Sequence, residues 1–427
     1  MARGASLRVV VVKPDWGIRG GAEAVVERME AVLRADGHRV ERRTIGVQAL
    51  PRTPFGVALP ERAWNAVPEL FRYLAILDAV ERLDVRAADL VVSTHAPSFA
   101  VDHPRHLSLF FHHLRVFYDL DDVFVAAGLA GDPDLHAAAR HRVRAIDQPR
   151  LERVGWFSPN SEVTAARLVK FNGLTNATVH HAGSGSVSPS RCGRDAPGQG
   201  PAATLGGPSG PVLCVSRSEL SKRTELFVAA MHLSGVTGVL VGDGGRWPFV
   251  ADLDRRLAAG TVDPGTLTDT DLWLNRGEVT VRGRWPGRPQ WAGLARRTSR
   301  RQPAPSKVTL AGRVDGETLA RLYREAPCVV IPAYDEDYGL TAVEALAHGT
   351  PVVVCADGGG LTTIVEHEVD GLVVAPTPSA IAGAVQRIVR DPHLAHRLGQ
   401  AALAKAATFT WERTADELRG CVERVMS

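Results

Sequence analysis

Two glutamates eight residues apart carry the clearest chemistry in this sequence. Glu336 and Glu344 lie in IPAYDEDYGLTAVEALAHGT, residues 331–350. The preceding run CVVIP reads as the end of a strand, the acidic segment as a loop, and a helix is predicted to start near Gly339 or Leu340. Glu336 then sits in the loop and Glu344 about one turn inside the helix, roughly 12 Å apart at most given the helical rise per residue. That is too far for carboxylates sharing a proton and too far to grip one metal ion. It suits two acceptors reading hydroxyls at two ends of an extended ligand. The helix start offers free N–H groups and the positive end of a dipole, which attract phosphate. Hydroxyls on both sides of a phosphate describe a nucleotide sugar.

The chain that must position these groups has 427 residues, enough for two or three domains at about 150 residues each. Its 45% hydrophobic and 23% charged content is that of a soluble globular protein with a sizeable core. A formal charge of +3 gives no reason to expect a nucleic-acid partner. Lysine occurs only at 13, 170, 222, 307 and 405, while Arg, Ala, Gly and Val are abundant, as a GC-rich genome produces. Arginine clusters are therefore not phosphate sites by default, and Lys222 stands out. The cysteines at 192, 214, 328, 355 and 421 form no C-x-x-C pair, and three lie in apolar runs, which fits small buried hydrophobes in a reducing cytoplasm. No signal peptide and no apolar run of about 18 residues is evident, so no transmembrane helix is expected, and contact with a membrane surface is left open to the basic, aromatic insertion at about 260–305.

An apolar run, expected of a parallel strand buried on both faces, occurs at 7–12, and strands are predicted at 88–93 and 107–111. Further strands are predicted at 39–44, 154–158 and 177–181, and helices at 22–35, 61–85, 136–152 and 161–171. The loop after the first strand, GIRGGAE, is not a G-x-G-x-x-G fingerprint but lets backbone approach a ligand closely. A Gly, Pro and Ser stretch at 185–210 reads as a linker. The pattern restarts with strands at 211–216, 237–241, 307–311, 328–332, 351–355 and 371–374. Between them lie a helix at 222–233, an Arg-, Pro- and Trp-rich insertion at about 260–305, and closing helices at 378–390, 394–407 and 411–426. This alternation predicts an α/β fold of two doubly wound domains, 1–184 and 211–410, facing a central cleft.

Several of these segments resemble the retaining GT-B glycosyltransferases of family 4 (glycosyl transferases group 1). They are VSRSELSKRTELFVAAM, the stretch GRVDGETLARLYREAPCVVIPAYDEDYGLTAVEALAHGTPVVVCADGGG, the closing FTWERTA, and in the amino half GGAE, FHHLRVFYD and SPNSEVTAARL. The resemblance implies that 1–184 binds the acceptor and 211–410 the nucleoside diphosphate sugar, with helix 411–427 packing back on the amino domain. It implies that Arg217 and Lys222 hold the diphosphate, that Glu336 lies at the donor sugar, and that Glu344 accepts from ribose. Tyr338, Gly339, Leu340 and Thr341 then line the donor, Arg313 the base, and Gly20 and Gly21 approach the diphosphate from the other domain. His112 or His113 stands near the reacting sugar, with Arg115, Tyr118 and Asp119 on the acceptor side.

The family's Glu-Gly-Phe-Gly is Glu336-Asp337-Tyr338-Gly339 here, and Thr362 and Thr363 stand where a Glu is common. Asp337 is thus expected beside the sugar pocket. Asp335-Glu336-Asp337 reads as D-x-D, but so do four other sites, and no zinc spacing is present. The resemblance implies a metal-independent hexosyltransferase with no cofactor beyond its co-substrate, acting on a glycan, lipid carrier or small natural product. An epimerase, a phosphorylase and a noncatalytic partner subunit share the same fold.

Overall fold

The computed structural model describes residues 6–17, 20–183, 210–267, 272–273 and 305–427. The expected linker, apart from Gly210, and most of the expected insertion lie outside the described residues. The described chain builds two all-parallel sheets. The first contains β1 (Arg8–Asp15), β2 (Arg39–Gly46), β3 (Leu90–Ser93), β4 (His106–Phe110) and β5 (Trp156–Pro159) in the order β2-β1-β3-β4-β5. The second contains β6 (Val212–Val215), β7 (Gly238–Val241), β8 (Val308–Gly312), β9 (Val329–Ile331), β10 (Val352–Cys355) and β11 (Gly371–Val374) in the order β11-β10-β9-β6-β7-β8.

Most inner strands are buried along their whole length, β3, β4, β9 and β10 completely, because helices cover both faces. In each sheet the chain winds one way from its first strand and then returns to that strand's other side. The reversal falls between β1 and β3 in the first sheet and between β6 and β9 in the second, where Leu213 pairs with Val329. Loops leaving two neighbouring strands diverge at such a point and leave a crevice at their carboxyl ends.

Two expected elements differ. The helix at 61–85 breaks into Glu61–Ala66 and Pro68–Glu81, because Pro68 lacks an N–H and forces Val67 out of helical geometry (φ −143°). The strand at 177–181 is reduced to one bridge between Phe157 and Ala177. His181 is instead drawn to the last helix, its N–H donating to Glu417 Oε2 at 2.7 Å.

That last helix, Trp411–Met426, follows the second half in sequence but lies on the first sheet. Thr410 caps it, and Leu418, Cys421 and Val422 join the core cluster of Leu107 and Leu109 from β4. Arg419 donates to both carboxylate oxygens of Asp36 at 2.9 and 2.8 Å. Leu418 is fully buried. Leu418→Ala is therefore expected to destabilise the first half by about 2–5 kcal/mol, measured by urea unfolding; a loss under about 1 kcal/mol would show that the helix is not needed there.

Candidate active site

The crevice of the second sheet collects the polar residues the sequence singles out. After β6 the chain passes Arg217 and a short 3₁₀ turn, Leu220–Lys222; after β9 it runs through 332–339 into the helix Leu340–Ala347. Because β6 and β9 are neighbours, these two loops meet, and the Lys222 ammonium forms an ion pair with Glu336 Oε2. Gly339 starts the helix at φ +114°, and among the described residues the amides of Gly339, Leu340 and Thr341 make no backbone hydrogen bond. They are free to donate to an anion. Glu344, on the same helix, is buried and accepts from the Tyr323 hydroxyl at 2.9 Å. Burial pushes its carboxyl up to about 7 against the stabilising Tyr323 hydrogen bond.

The loop bearing Glu336 is held from beneath by a residue the sequence reading missed. The helix expected at 222–233 begins only at Thr224, and Arg223 takes a left-handed conformation (φ +48°) just before it. This turns a fully buried guanidinium under the loop. It donates to Pro332 O at 2.7 Å and, in a two-pronged contact, to both oxygens of Asp357 at 2.9 and 2.6 Å. Its charge also lies over the rings of Trp273 and Tyr334 at 5.0 and 5.6 Å. The glycines after Asp357 complete the support. Glu336 N donates to Gly358 O at 3.0 Å, and Gly360 N donates to Glu336 O at 2.7 Å. Gly359 has φ +60°, and a Cβ there would lie 2.7 Å from Glu336 O.

The first half presents the carboxyl ends of β1, β3 and β4 to this crevice. Gly21 approaches so closely that a Cβ on it would lie 2.5 Å from Leu340 Cδ1. The two histidines after β4 separate cleanly. His113 is wholly buried, stacked on Tyr118 at 4.0 Å and bonded through Nε2 to Asn172 Oδ1 at 2.7 Å, and burial lowers it to about 4. His112 remains partly exposed and contributes to the field at Asp337, so it is the one that faces the second half.

His95, after β3, went unremarked in the sequence. Its ring stacks on Phe111 at 4.9 Å and lies edge-on to His112 at 6.2 Å, with Nδ1 lacking a partner. Burial, with the fields of His112, Lys13 and Arg217 added, lowers it to about 3. Arg217 of the second half is thus within electrostatic reach of the first.

Other expected positions lie elsewhere. Tyr118 donates its hydroxyl to Asp147 Oδ2 at 2.7 Å inside the first half's core, which removes that hydroxyl from the acceptor side. Tyr338 is buried and donates to Ala182 O at 2.8 Å, leaving only its backbone for a ligand. Arg313 is exposed beyond β8, 3.9 Å from Asp243 and two strands from β6. Arg115 and Asp119 pair with each other at 2.7 Å at the seam between the halves. Asp337 does not stand free beside a sugar pocket. Burial would raise its carboxyl, but Arg115, His112 and Arg167 outweigh that and hold it well below the ordinary range. Among the described residues no group of three or more His, Cys, Asp or Glu is placed to hold a metal ion, and no helix is long and apolar enough to cross a membrane.

Two tests follow from this geometry. The folded protein keeps the Glu344 proton to about pH 7, whereas an unfolded chain releases it near the ordinary value of 4.5. Between those values the native state binds more protons, so Glu344 makes stability fall as pH rises through that window and then level off. Glu344→Gln should flatten the fall of Tm between about pH 5 and 7; an unchanged profile would contradict the assignment. Gly359→Ala, which forces the Glu336 loop to move, should lower ligand affinity at the crevice more than it lowers Tm, compared by titration and melting of one preparation.

Residues 299–405 match the family model described as glycosyl transferases group 1. A D-inositol 3-phosphate glycosyltransferase of Frankia alni is 47% identical over 98 residues, 23% of this chain and 24% of that protein. The chain spans only about a quarter to a third of the length of the curated relatives it matches, 32% for the corresponding enzyme of Jonesia denitrificans. Solved structures align over the whole fold. Sucrose-phosphate synthase from Thermosynechococcus elongatus has a TM-score of 0.62 at 19% identity, covering 97% of this chain and 98% of its own. Anabaena HepE in complex with UDP-glucose has a TM-score of 0.57 at 16% identity, covering 98% of both chains. The chain therefore has the GT-B architecture, and its residues 299–405 are similar to the glycosyl transferases group 1.

Proposed function

We propose that this protein is a retaining glycosyltransferase that moves a hexose-type sugar from a nucleoside diphosphate to a hydroxyl acceptor, without a resident metal. One observation carries the reading. Lys222, Glu336 and the open helix start at Gly339–Thr341 converge at the switch point of the second sheet, with Glu344 on the same helix. A diphosphate at the helix start meets free amides, the dipole and the charges of Lys222 and Arg217. Glu344 lies where ribose hydroxyls would be read, and its Tyr323 partner fixes the carboxyl plane. Glu336, released by Lys222 as that ammonium turns to phosphate, accepts from the donor sugar's hydroxyls.

The acceptor enters from the first half, past His112. As the bond from the anomeric carbon to the phosphate oxygen breaks, negative charge gathers on the diphosphate, where Lys222, Arg217 and the helix start stabilise it. The acceptor oxygen forms its bond on the face the phosphate leaves, and its proton passes to a phosphate oxygen. The described site offers no carboxylate free of partners as a nucleophile on the opposite face, which favours this course. The names of the matched relatives and the UDP-glucose bound to the Anabaena protein support a sugar-nucleotide donor.

Lys222→Ala and Glu336→Ala should each lower kcat about 10²–10³-fold while leaving Tm within a few degrees; near-normal rates in both would sink the site. Sugar nucleotides incubated without acceptor should stay unchanged, and their epimerisation would replace transfer with isomerisation. The anomeric coupling constant of the product, read by NMR, should match the donor's configuration.

A further inference from the structure

The seam between the halves carries a charge cluster for which the transfer reading has no use. Arg115, just after β4, and Arg167, in the helix Glu162–Asn172, come from the first half. Asp335 and Asp337, flanking Glu336, come from the second. Arg115 Nη2 donates to Asp335 O at 2.6 Å, and Arg167 Nη2 donates to the same carbonyl at 2.9 Å. Arg167 also meets Asp335 Oδ2 at 2.9 Å and pairs with Asp337 Oδ1, which Arg115 Nη1 approaches at 3.3 Å. Ser161 Oγ donates to Asp337 O. Asp119 braces both arginines from the first half, at 2.6 Å to Arg115 and 3.4 Å to Arg167.

The positions of these contacts matter more than their number. Glu336's own N–H and C=O are held from the second half, by Gly358 and Gly360. The carbonyls on either side of it, of Asp335 and Asp337, are held from the first half. The 335–336 peptide is therefore gripped from both halves, at its N–H by Gly358 and at its carbonyl by Arg115 and Arg167, while the peptide after Asp337 is tied to the first half through Ser161. A buried ion pair contributes little net stability after desolvation, but its directional forks fix geometry. Arg167 and Arg115 are 6% and 11% exposed, which makes the cluster dry enough for that.

We propose that Arg115 and Arg167 are positioning residues that clasp the Asp335 carbonyl and the Asp337 carboxylate on either side of Glu336 when the halves meet, so that the acceptor-side half completes the donor-sugar site. This rests on the transferase reading above. It assigns Asp337, in place of a sugar contact, the part of a counter-charge that couples closure to the aim of Glu336.

The test uses the full chain with Arg167→Gln, Asp337→Asn and the combination of both. Small-angle X-ray scattering should show a larger radius of gyration in both single variants than in the wild type, with circular dichroism unchanged. kcat should fall at least about tenfold in each single variant, and the double variant should be no worse than the poorer single, since both act through one contact. Affinity for whichever of UDP, GDP, ADP and dTDP gives the largest thermal shift should stay within about threefold, because that ligand is held by the second half alone; the comparison separates aim from binding. Additive losses in the double variant, or a loss confined to nucleotide affinity, overturn the proposal. If the wild type transfers no sugar, the transferase reading fails separately and scattering still decides. An unchanged radius in both single variants overturns the clasp. Should either single variant fail to fold, the double variant, which leaves neither charge of that pair behind, supplies the same scattering and turnover comparison against the wild type.

Discussion

A carboxylate taken out of water must find a cation or become protonated, and that constraint organises the meeting of the two halves. Asp337 is largely withdrawn from water at the seam, its side chain 16% exposed, and its carboxyl is held well below the ordinary range because Arg115 and Arg167 reach it from the opposite domain. The loop that carries it is thereby fastened on both sides. Beneath it, Arg223 ties Pro332 O to Asp357, and the Gly358–Gly360 backbone pairs with Glu336. Above it, the first half's guanidiniums hold the Asp335 carbonyl. Three arginines, one within a domain and two across domains, bracket a short acidic loop whose central residue stays available to Lys222.

Parallel winding sets where this happens. Neither Lys222 nor Glu336 is close to the other in sequence; they meet because β6 and β9 are adjacent at the reversal of strand order. The first sheet repeats the arrangement with β1 and β3, which bring Lys13 and His95 toward His112. Each sheet thus opens its crevice toward the other, and the two lines of polar strand ends face one another across the seam.

The parts of this that were legible in the sequence are those written in local patterns. Runs such as LRVVVV and PVLCVS signal strands because a strand buried on both faces needs apolar residues at every position. The Glu336–Glu344 spacing encodes a loop acid and a helix acid because the helical rise is fixed. Pro68 was also legible as a helix break, and the reading passed over it. The rest depends on partners distant in the chain. Arg223 finds Asp357 134 residues on, and Arg167 finds Asp337 170 residues on. Nothing local distinguishes either arginine in a chain so rich in them. Asp337 invited a sugar contact because its sequence neighbours are acidic, whereas its neighbours in space are basic. Tyr118 likewise sits in a polar stretch but spends its hydroxyl on buried Asp147. His112 and His113 are indistinguishable by pattern, and only packing against Tyr118 and Asn172 separates them.

The position of the helix Trp411–Met426 bears on the order in which the protein is made. The first sheet's strands are complete by Pro159, yet the helix that covers Leu107 and Leu109 begins only at Trp411, after every strand of the second sheet. At ribosomal speeds of about 5–20 residues per second, that face waits roughly ten to fifty seconds for its cover. During that interval the nascent amino-terminal half has apolar surface without its native partner, the kind of surface chaperones bind. The second sheet must be synthesised before the first can gain this cover, so completion of the amino-terminal fold waits on the half that follows it.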